Sequence, residues 1–211
     1  MTADADLATA LDALDRATDT ASLVIAAQTV VQLHNPKAAP SLIKTLGYNN
    51  PAVAAVATKG LISLGNNIVP QLLESLDTNN YGARAWIVKI LATLRDPRGL
   101  AVLLKAIHVD IAPSVRRSAT RGLAELDLKN TEQNDDLAQC FAGLLHAGHD
   151  DEWVVRYAAA YGLEQRLPDP SLTPQQHSEG LMLLQGLASE QESVTVVRMR
   201  ASQALDRLSS A

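Results

Sequence analysis

Aromatic side chains are scarce in this chain: one Phe, two Trp and four Tyr among 211 residues, or 3%. The core therefore has to be aliphatic, and small aliphatic residues let helices approach closely. Cysteine is nearly missing too. With Cys140 alone, no intrachain disulfide forms and a reducing compartment is expected. Positive charge is in deficit, 18 Lys+Arg against 23 Asp+Glu for a net charge of −5, which argues against a nucleic-acid binder. No uninterrupted apolar run reaches membrane-spanning length, and the start Met1-Thr2-Ala3-Asp4-Ala5-Asp6 lacks the basic residues of a signal peptide. The expectation is a soluble cytoplasmic protein without membrane insertion. Glycine-rich phosphate loops, nucleophile elbows and zinc-protease helix motifs are missing as well.

What is plentiful is hydrophobic, 47% of the residues, enough for a buried core. Leu7, Leu11 and Leu14 fall on one helical face, as do Val53, Val56, Ala57, Gly60, Leu61 and Leu64. No segment sustains the alternation of a strand. The chain reads as all-helical.

Self-similarity then defines the architecture. Pro40-Ser-Leu-Ile-Lys-Thr-Leu46 recurs as Pro70-Gln-Leu-Leu-Glu-Ser-Leu76, and Asn49-Asn50-Pro51 as Asn79-Asn80-Tyr81. Second helices align on Val53, Ala83, Val115, Val155 and Val197, and a small residue before Leu recurs at Gly60-Leu61, Gly122-Leu123, Gly162-Leu163 and Ala204-Leu205. Units of this size do not bury an apolar face alone, so they stack. The fold class is all-α, a right-handed α-solenoid of HEAT-like helical-hairpin repeats, expected as one domain over residues 1–211 with about six helix pairs. Pro51 and Pro113 open second helices, Asn35-Pro36 and Asp96-Pro97 break the chain between pairs, and loops are expected over 127–136 and at Pro168–Ser171. The end repeats expose apolar residues, Leu7, Leu11 and Leu14 at one end and Met182, Leu183, Leu184 and Leu187 at the other, for another subunit to cover.

Four residues stand in register, Arg84, Arg116, Arg156 and Arg198, preceded by Asp77, Asp110, Asp150 and Glu192. They read as a ladder of arginine–carboxylate pairs tying adjacent repeats together, with an anion-binding row as the alternative. Cys140 shares a stripe with Leu137, Phe141, Leu144 and Leu145 and reads as a buried hydrophobe, with a nucleophile as the other reading. His146 and His149 beside Asp150 lack the further ligands of a metal site, and no metal is expected. A helical wheel places Trp153, Tyr157 and Tyr161 at roughly 160°, 200° and 240° from the packed Val155. Matching positions elsewhere hold Tyr81, Lys89, Arg117 and Arg121, so a basic strip runs toward aromatic residues.

Three phrases are more specific than a generic repeat: Asn80-Tyr-Gly-Ala-Arg-Ala-Trp86, Arg95-Asp-Pro-Arg-Gly99 and Ala112-Pro-Ser-Val-Arg-Arg-Ser-Ala-Thr-Arg-Gly-Leu123. Here the chain resembles the smaller (beta, F-type) subunit of the heterodimeric phycobilin lyases of cyanobacteria, best over residues 40–126. The resemblance implies an enzyme subunit, active only with a larger HEAT-repeat subunit. It attaches phycocyanobilin, an open-chain tetrapyrrole, through a thioether to a cysteine of the phycocyanin alpha subunit. The pigment is then a substrate and no cofactor is permanently bound. Isomerising relatives carry an Asn-His-Cys motif. Here the cysteine stands in Ala138-Gln139-Cys140-Phe141, so simple addition is expected. Under this reading Tyr81, Lys89, Arg117, Arg121, Trp153, Tyr157 and Tyr161 are the candidate bilin-binding residues, with the aromatics stacking on the pigment and the cations pairing with its propionates. A partner subunit covering the same stripe is the competing use of these residues. A non-enzymatic repeat adaptor, a phycobilisome-degradation factor or a scaffold without pigment are the alternatives in function.

Overall fold

The computed structural model describes residues 2–76, 80–129 and 135–210, and these form helices, turns and loops only. The chain divides into two compact units, Met1–Leu94 and Arg95–Ala211.

The N-terminal unit contains α1 (Thr2–Arg16), α2 (Thr20–Gln32), α3 (Ala39–Thr45), α4 (Pro51–Ser63), α5 (Val69–Glu74) and α6 (Tyr81–Leu94). Here α4 packs on both α2 and α6, while α3 packs on α4 and α5. The second helices thus form one row. Buried aliphatics fill it, among them Val30, Leu42, Val53, Ala57, Leu61, Leu72, Ile87 and Leu91. Close approach of α2 and α4 rests on Gly60, whose missing Cβ leaves the space that Val31 fills.

Helix boundaries follow local chemistry. The Asn50 carboxamide oxygen accepts from the Ala52 and Val53 amides at 3.1 and 3.3 Å, and Pro51 follows at a position that needs no amide. Asn80 caps α6 likewise, accepting from the Ala83 amide at 3.0 Å. Gly65, with φ of +72°, ends α4 in the left-handed conformation that glycine adopts without strain. His34 and Arg95 hold the same position after α2 and α6, with φ of +47° and +59°. Behind them Asn35 and Asp96 accept from the amides of Lys37 and Arg98, both at 3.0 Å, and start the next pair with a short 3₁₀ turn. The two Pro-containing breaks are therefore caps.

The C-terminal unit contains α7 (Leu100–Val109), α8 (Pro113–Glu125), α9 (Asp135–Ala147), α10 (Trp153–Arg166), α11 (Pro174–Ala188) and α12 (Thr195–Ser209). One layer runs α7, α9, α11 and the other α8, α10, α12, with α10 packed between α8 and α12. Val115, Val155 and Val197, the aligned register positions, are each under 5% exposed. The lone Phe141 is buried and reaches into the space left by Gly180.

Two expectations need correction. The loop expected over 127–136 ends earlier, because Asp135 and Asp136 form the first turn of α9, where carboxylates suit the helix dipole. Leu7, Leu14, Leu184 and Leu187 are buried by the chain itself, so of the two end clusters only Met182, 59% exposed, stays largely open. Among the described residues no single helix is long and apolar enough to cross a membrane.

Candidate functional site

The aligned arginines build a repeating joint in the C-terminal unit. Arg116, early in α8, donates from Nε and Nη2 to the two carboxylate oxygens of Asp150 at 2.7 and 2.8 Å. Its Nη1 donates to the carbonyls of Asp110 and Ile111 at 2.9 and 3.2 Å. Arg156 repeats the arrangement one helix pair later, on Glu192 at 2.6 and 2.9 Å and on the carbonyls of Asp150 and Asp151 at 2.7 and 2.9 Å. Each arginine thus takes the backbone of its own loop and the carboxylate of the next. Burial pushes the Asp150 carboxyl up, but the hydrogen bonds from Arg116 and the Glu152 amide, with the Arg116 charge, together outweigh it and the group sits below the usual carboxylate range. Glu192 is lowered first by its hydrogen bond from Arg156. These four groups join repeats. Asp77 lies outside the described residues, and the anion-row alternative finds no open arginine at Arg116 or Arg156.

The aromatic stripe on α10 is less uniform than helical geometry alone implies. Trp153 and Tyr157 are exposed by 45% and 37%. Tyr161 is half-buried: the Arg121 guanidinium lies 4.3 Å and that of Arg200 5.4 Å from its ring centre. The Tyr161 hydroxyl donates to Glu125 Oε1 at 2.8 Å, and Arg95 and Arg121 both pair with the same carboxylate. Burial, and then the bond to Glu125, raise the Tyr161 phenol, which therefore keeps its proton. Beside this cluster, the buried Glu164 lies 2.6 Å from Arg200 and 2.9 Å from Arg207. Four arginines thus surround two glutamates, a local excess of cationic charge in an acidic chain. Arg117 is exposed. The structure brings Arg121 and Tyr161 together and leaves Arg117, Trp153 and Tyr157 on open surface of the same two helices. Tyr81 and Lys89 lie on α6 of the N-terminal unit, where Arg84 sits 5.1 Å from the Tyr81 ring and Lys89 sits 5.2 Å from the Trp86 ring.

Sequence reasoning missed Arg95, Glu125, Glu164, Arg200 and Arg207 in this cluster. It also missed Arg166, whose buried guanidinium donates to the carbonyls of Leu123 and Leu126 at 2.9 and 2.8 Å. The small-residue register at Gly162 pointed toward that tight packing, but no spacing rule names the ionic partners.

Cys140 is fully buried, and burial pushes its thiol up to about 11. It has neither the access nor the thiolate of a nucleophile. His146 rests against His108 with ring centres 4.2 Å apart, and no group of three or more metal-ligating side chains gathers among the described residues. An open cavity of about 750 Å³ lies elsewhere, between α9, α11 and the loop before α12, lined in part by His149, Arg156, Met182, Leu183 and Glu192. None of the seven residues expected to bind pigment borders it.

Comparisons with known proteins place this arrangement in a family. The HEAT-repeat family matches residues 39–124 and 69–164. A bilin biosynthesis protein, RpcF, of Synechococcus sp. (strain WH8020) is 51% identical over 90% of each chain. A phycocyanobilin lyase subunit beta of Nostoc sp. (strain PCC 7120) is 40% identical over 86% of this chain and 90% of that one. Among solved structures, the complex of CpcE and CpcF of phycocyanin lyase from Nostoc sp. PCC7120 includes a chain that matches with a TM-score of 0.70 and 41% identity, covering 81% of this chain and 99% of that chain. With this degree of identity along nearly the whole length, and HEAT repeats at its centre, the chain belongs to the family of phycocyanobilin lyase beta subunits.

Proposed function

We propose that this chain is the smaller subunit of a heterodimeric bilin lyase. With a larger HEAT-repeat subunit it joins phycocyanobilin through a thioether to a cysteine of the phycocyanin alpha subunit, in the cytoplasm. The observation that carries this reading is the match to 99% of a chain in the CpcE–CpcF complex at 41% identity. The match of the family model across the junction at residues 94 and 95 supports treating residues 1–211 as one repeat domain.

The chemistry suits a protein without a reactive nucleophile. The acceptor's thiol adds across a carbon–carbon double bond of the pigment: the sulfur bonds one carbon and a proton goes to the other. Nothing leaves, and no oxidant is needed. The lyase has to hold two reactants in line and assist the proton, which is catalysis by position. Cys140 is buried with its thiol protonated, so it does not compete with the acceptor, in keeping with addition without isomerisation. Trp153 and Tyr157 offer open ring surface for a tetrapyrrole, while Arg117 and Arg121 suit its two propionates. Tyr161 holds Arg121 in place more than it offers a free face. Tyr81 and Lys89 hold the matching positions on α6.

Co-expression with the larger subunit, the phycocyanin alpha apoprotein and a bilin source tests the reading. Covalent pigment on the acceptor should depend on this chain, and an unchanged yield without it refutes the lyase. Arg117→Ala with Arg121→Ala, which removes charge-assisted contacts, and separately Tyr157→Ala, which removes a stacking ring, should each weaken phycocyanobilin binding by roughly tenfold, with the heterodimer intact by size-exclusion chromatography. Normal affinity in both variants would remove these residues from the site.

A further inference from the structure

Arg198, the last arginine of the ladder, differs from the two before it. Arg116 and Arg156 each hold carbonyls of their own loop with Nη1 and give the Nε–Nη2 edge to a carboxylate of the next repeat. Arg198 keeps the first half, donating from Nη1 to the Glu192 carbonyl at 2.6 Å. Its Nη2 reaches the Thr195 hydroxyl at 3.3 Å, and its Nε has no partner among the described residues. The side chain is nevertheless half-buried. An edge that binds a carboxylate twice in this molecule binds none here.

The packing registers change at the same place. Leu61, Leu123 and Leu163 are fully buried, whereas Leu205, their counterpart on α12, is half-exposed. Thr120 and Ala160 are fully buried, and Ser202, in the same register, is exposed. Beside them a cavity of about 500 Å³ is lined in part by Leu167, His177, Leu181, Gln185, Leu205 and Leu208. Polar edge and apolar part both match what α8 and α10 present to the helix pair that follows each.

We propose that this end of the C-terminal unit docks a HEAT-like repeat of the larger lyase subunit, through an Asp or Glu of that partner seated on Arg198. The proposal rests on the reading of the chain as half of a heterodimer. The internal joints define the chemistry. Asp150 and Glu192 each stand three residues ahead of a second helix, and each accepts the amide two residues on, at 2.9 Å, which fixes the carboxylate for a two-pronged arginine contact. The partner's acid should have that placement. A second copy of this chain does not fit as well, because the same position before α2 and α4 holds Ala17 and Tyr48.

The test mixes the larger subunit with Arg198→Ala, Arg198→Glu and Ser202→Trp variants of this chain and measures affinity by calorimetry. Unchanged circular dichroism and melting temperatures of the free variants establish their folds, and exposed Ser202 provides a probe of the surface that leaves the ladder alone. Binding should weaken by about tenfold or more in Arg198→Ala, as for a truncated interfacial charge pair. It should be lost at micromolar concentration in the other two and restored to Arg198→Glu by an acid-to-Arg change at the partner's loop. If the wild-type subunits associate and all three variants bind as tightly, the docking is overturned while the heterodimer stands. If the wild-type subunits do not associate, both fail. Self-association of this chain that Arg198→Glu abolishes would give the surface to a second copy and also overturn the proposal.

Discussion

Arg156 and Glu192 meet through two parallel hydrogen bonds, with side chains 16% and 5% exposed. Removing one partner strands the other in a poorly hydrated place, at a cost of about 3–5 kcal/mol. Arg156→Ala should lower the free energy of unfolding in urea by that amount, and adding Glu192→Gln should recover part of it. A loss within about 1 kcal/mol, as for an exposed pair, would show that the joint is superficial. The register of these arginines was visible in the sequence as one residue type beside an aligned valine. Which carboxylate each takes was not visible. The acid six residues before Arg156 contributes its carbonyl, and the side-chain pairing skips forward 36 residues. Tyr161 shows the same limit: helical angle sets it opposite Val155, but the guanidiniums beside its ring come from α8 and α12, and helical angle says nothing of neighbours.

Helix by helix, the small residues decide how near the rows come. A Cβ at Gly162 would stand 2.5 Å from Leu144 Cδ2 and 3.1 Å from the Ala124 Cβ, the latter with no torsion to relieve it. Gly186, at an exposed position of α11, has nothing within 4 Å. The same substitution should therefore act with opposite signs. Gly162→Ala should destabilise by about 1–3 kcal/mol, overpacking exceeding the helical gain, whereas Gly186→Ala should stabilise by about 0.5–1 kcal/mol. Chemical denaturation of both variants checks this, and equal signs would contradict the packing account. The Gly-Leu register was legible because packing recurs at each repeat. The α9 boundary was not, since the polar run before it holds residues equally suited to a loop and to a first helical turn.

For the whole molecule, the carboxylates set the response to acid. Asp96 and Glu192 are lowered chiefly by hydrogen bonds from Arg98 and Arg156. In Glu125, Asp150 and Glu164 burial acts upward, but tyrosine and arginine partners outweigh it and the net direction is again down. A lowered folded value means that the unfolded chain binds more protons, so this stability is present above the ordinary carboxylate range of about 3.9–4.3 and is lost as pH falls through the folded values. His146 is lowered by burial and by His108, and contributes a further loss that begins near its ordinary value of about 6.5. Thermal melts should fall gently from pH 7 to about 5 and steeply below about 4. A melting temperature flat down to about pH 3 would contradict the linkage. At this scale the repeat architecture was legible from self-similarity, because one buried face recurs in every unit. The division at residues 94 and 95 leaves no mark in that periodicity, which records burial and not the density of neighbours.

The scarcity of aromatic residues has a spectroscopic consequence. The chain holds two indoles, Trp86 in the N-terminal unit and Trp153 in the C-terminal unit, the first beside the Lys89 ammonium and the second nearly half open to water. Its tryptophan fluorescence therefore has one source in each unit. Replacing either tryptophan with phenylalanine leaves a native reporter confined to the other unit, and the two emissions are separable without attaching a dye.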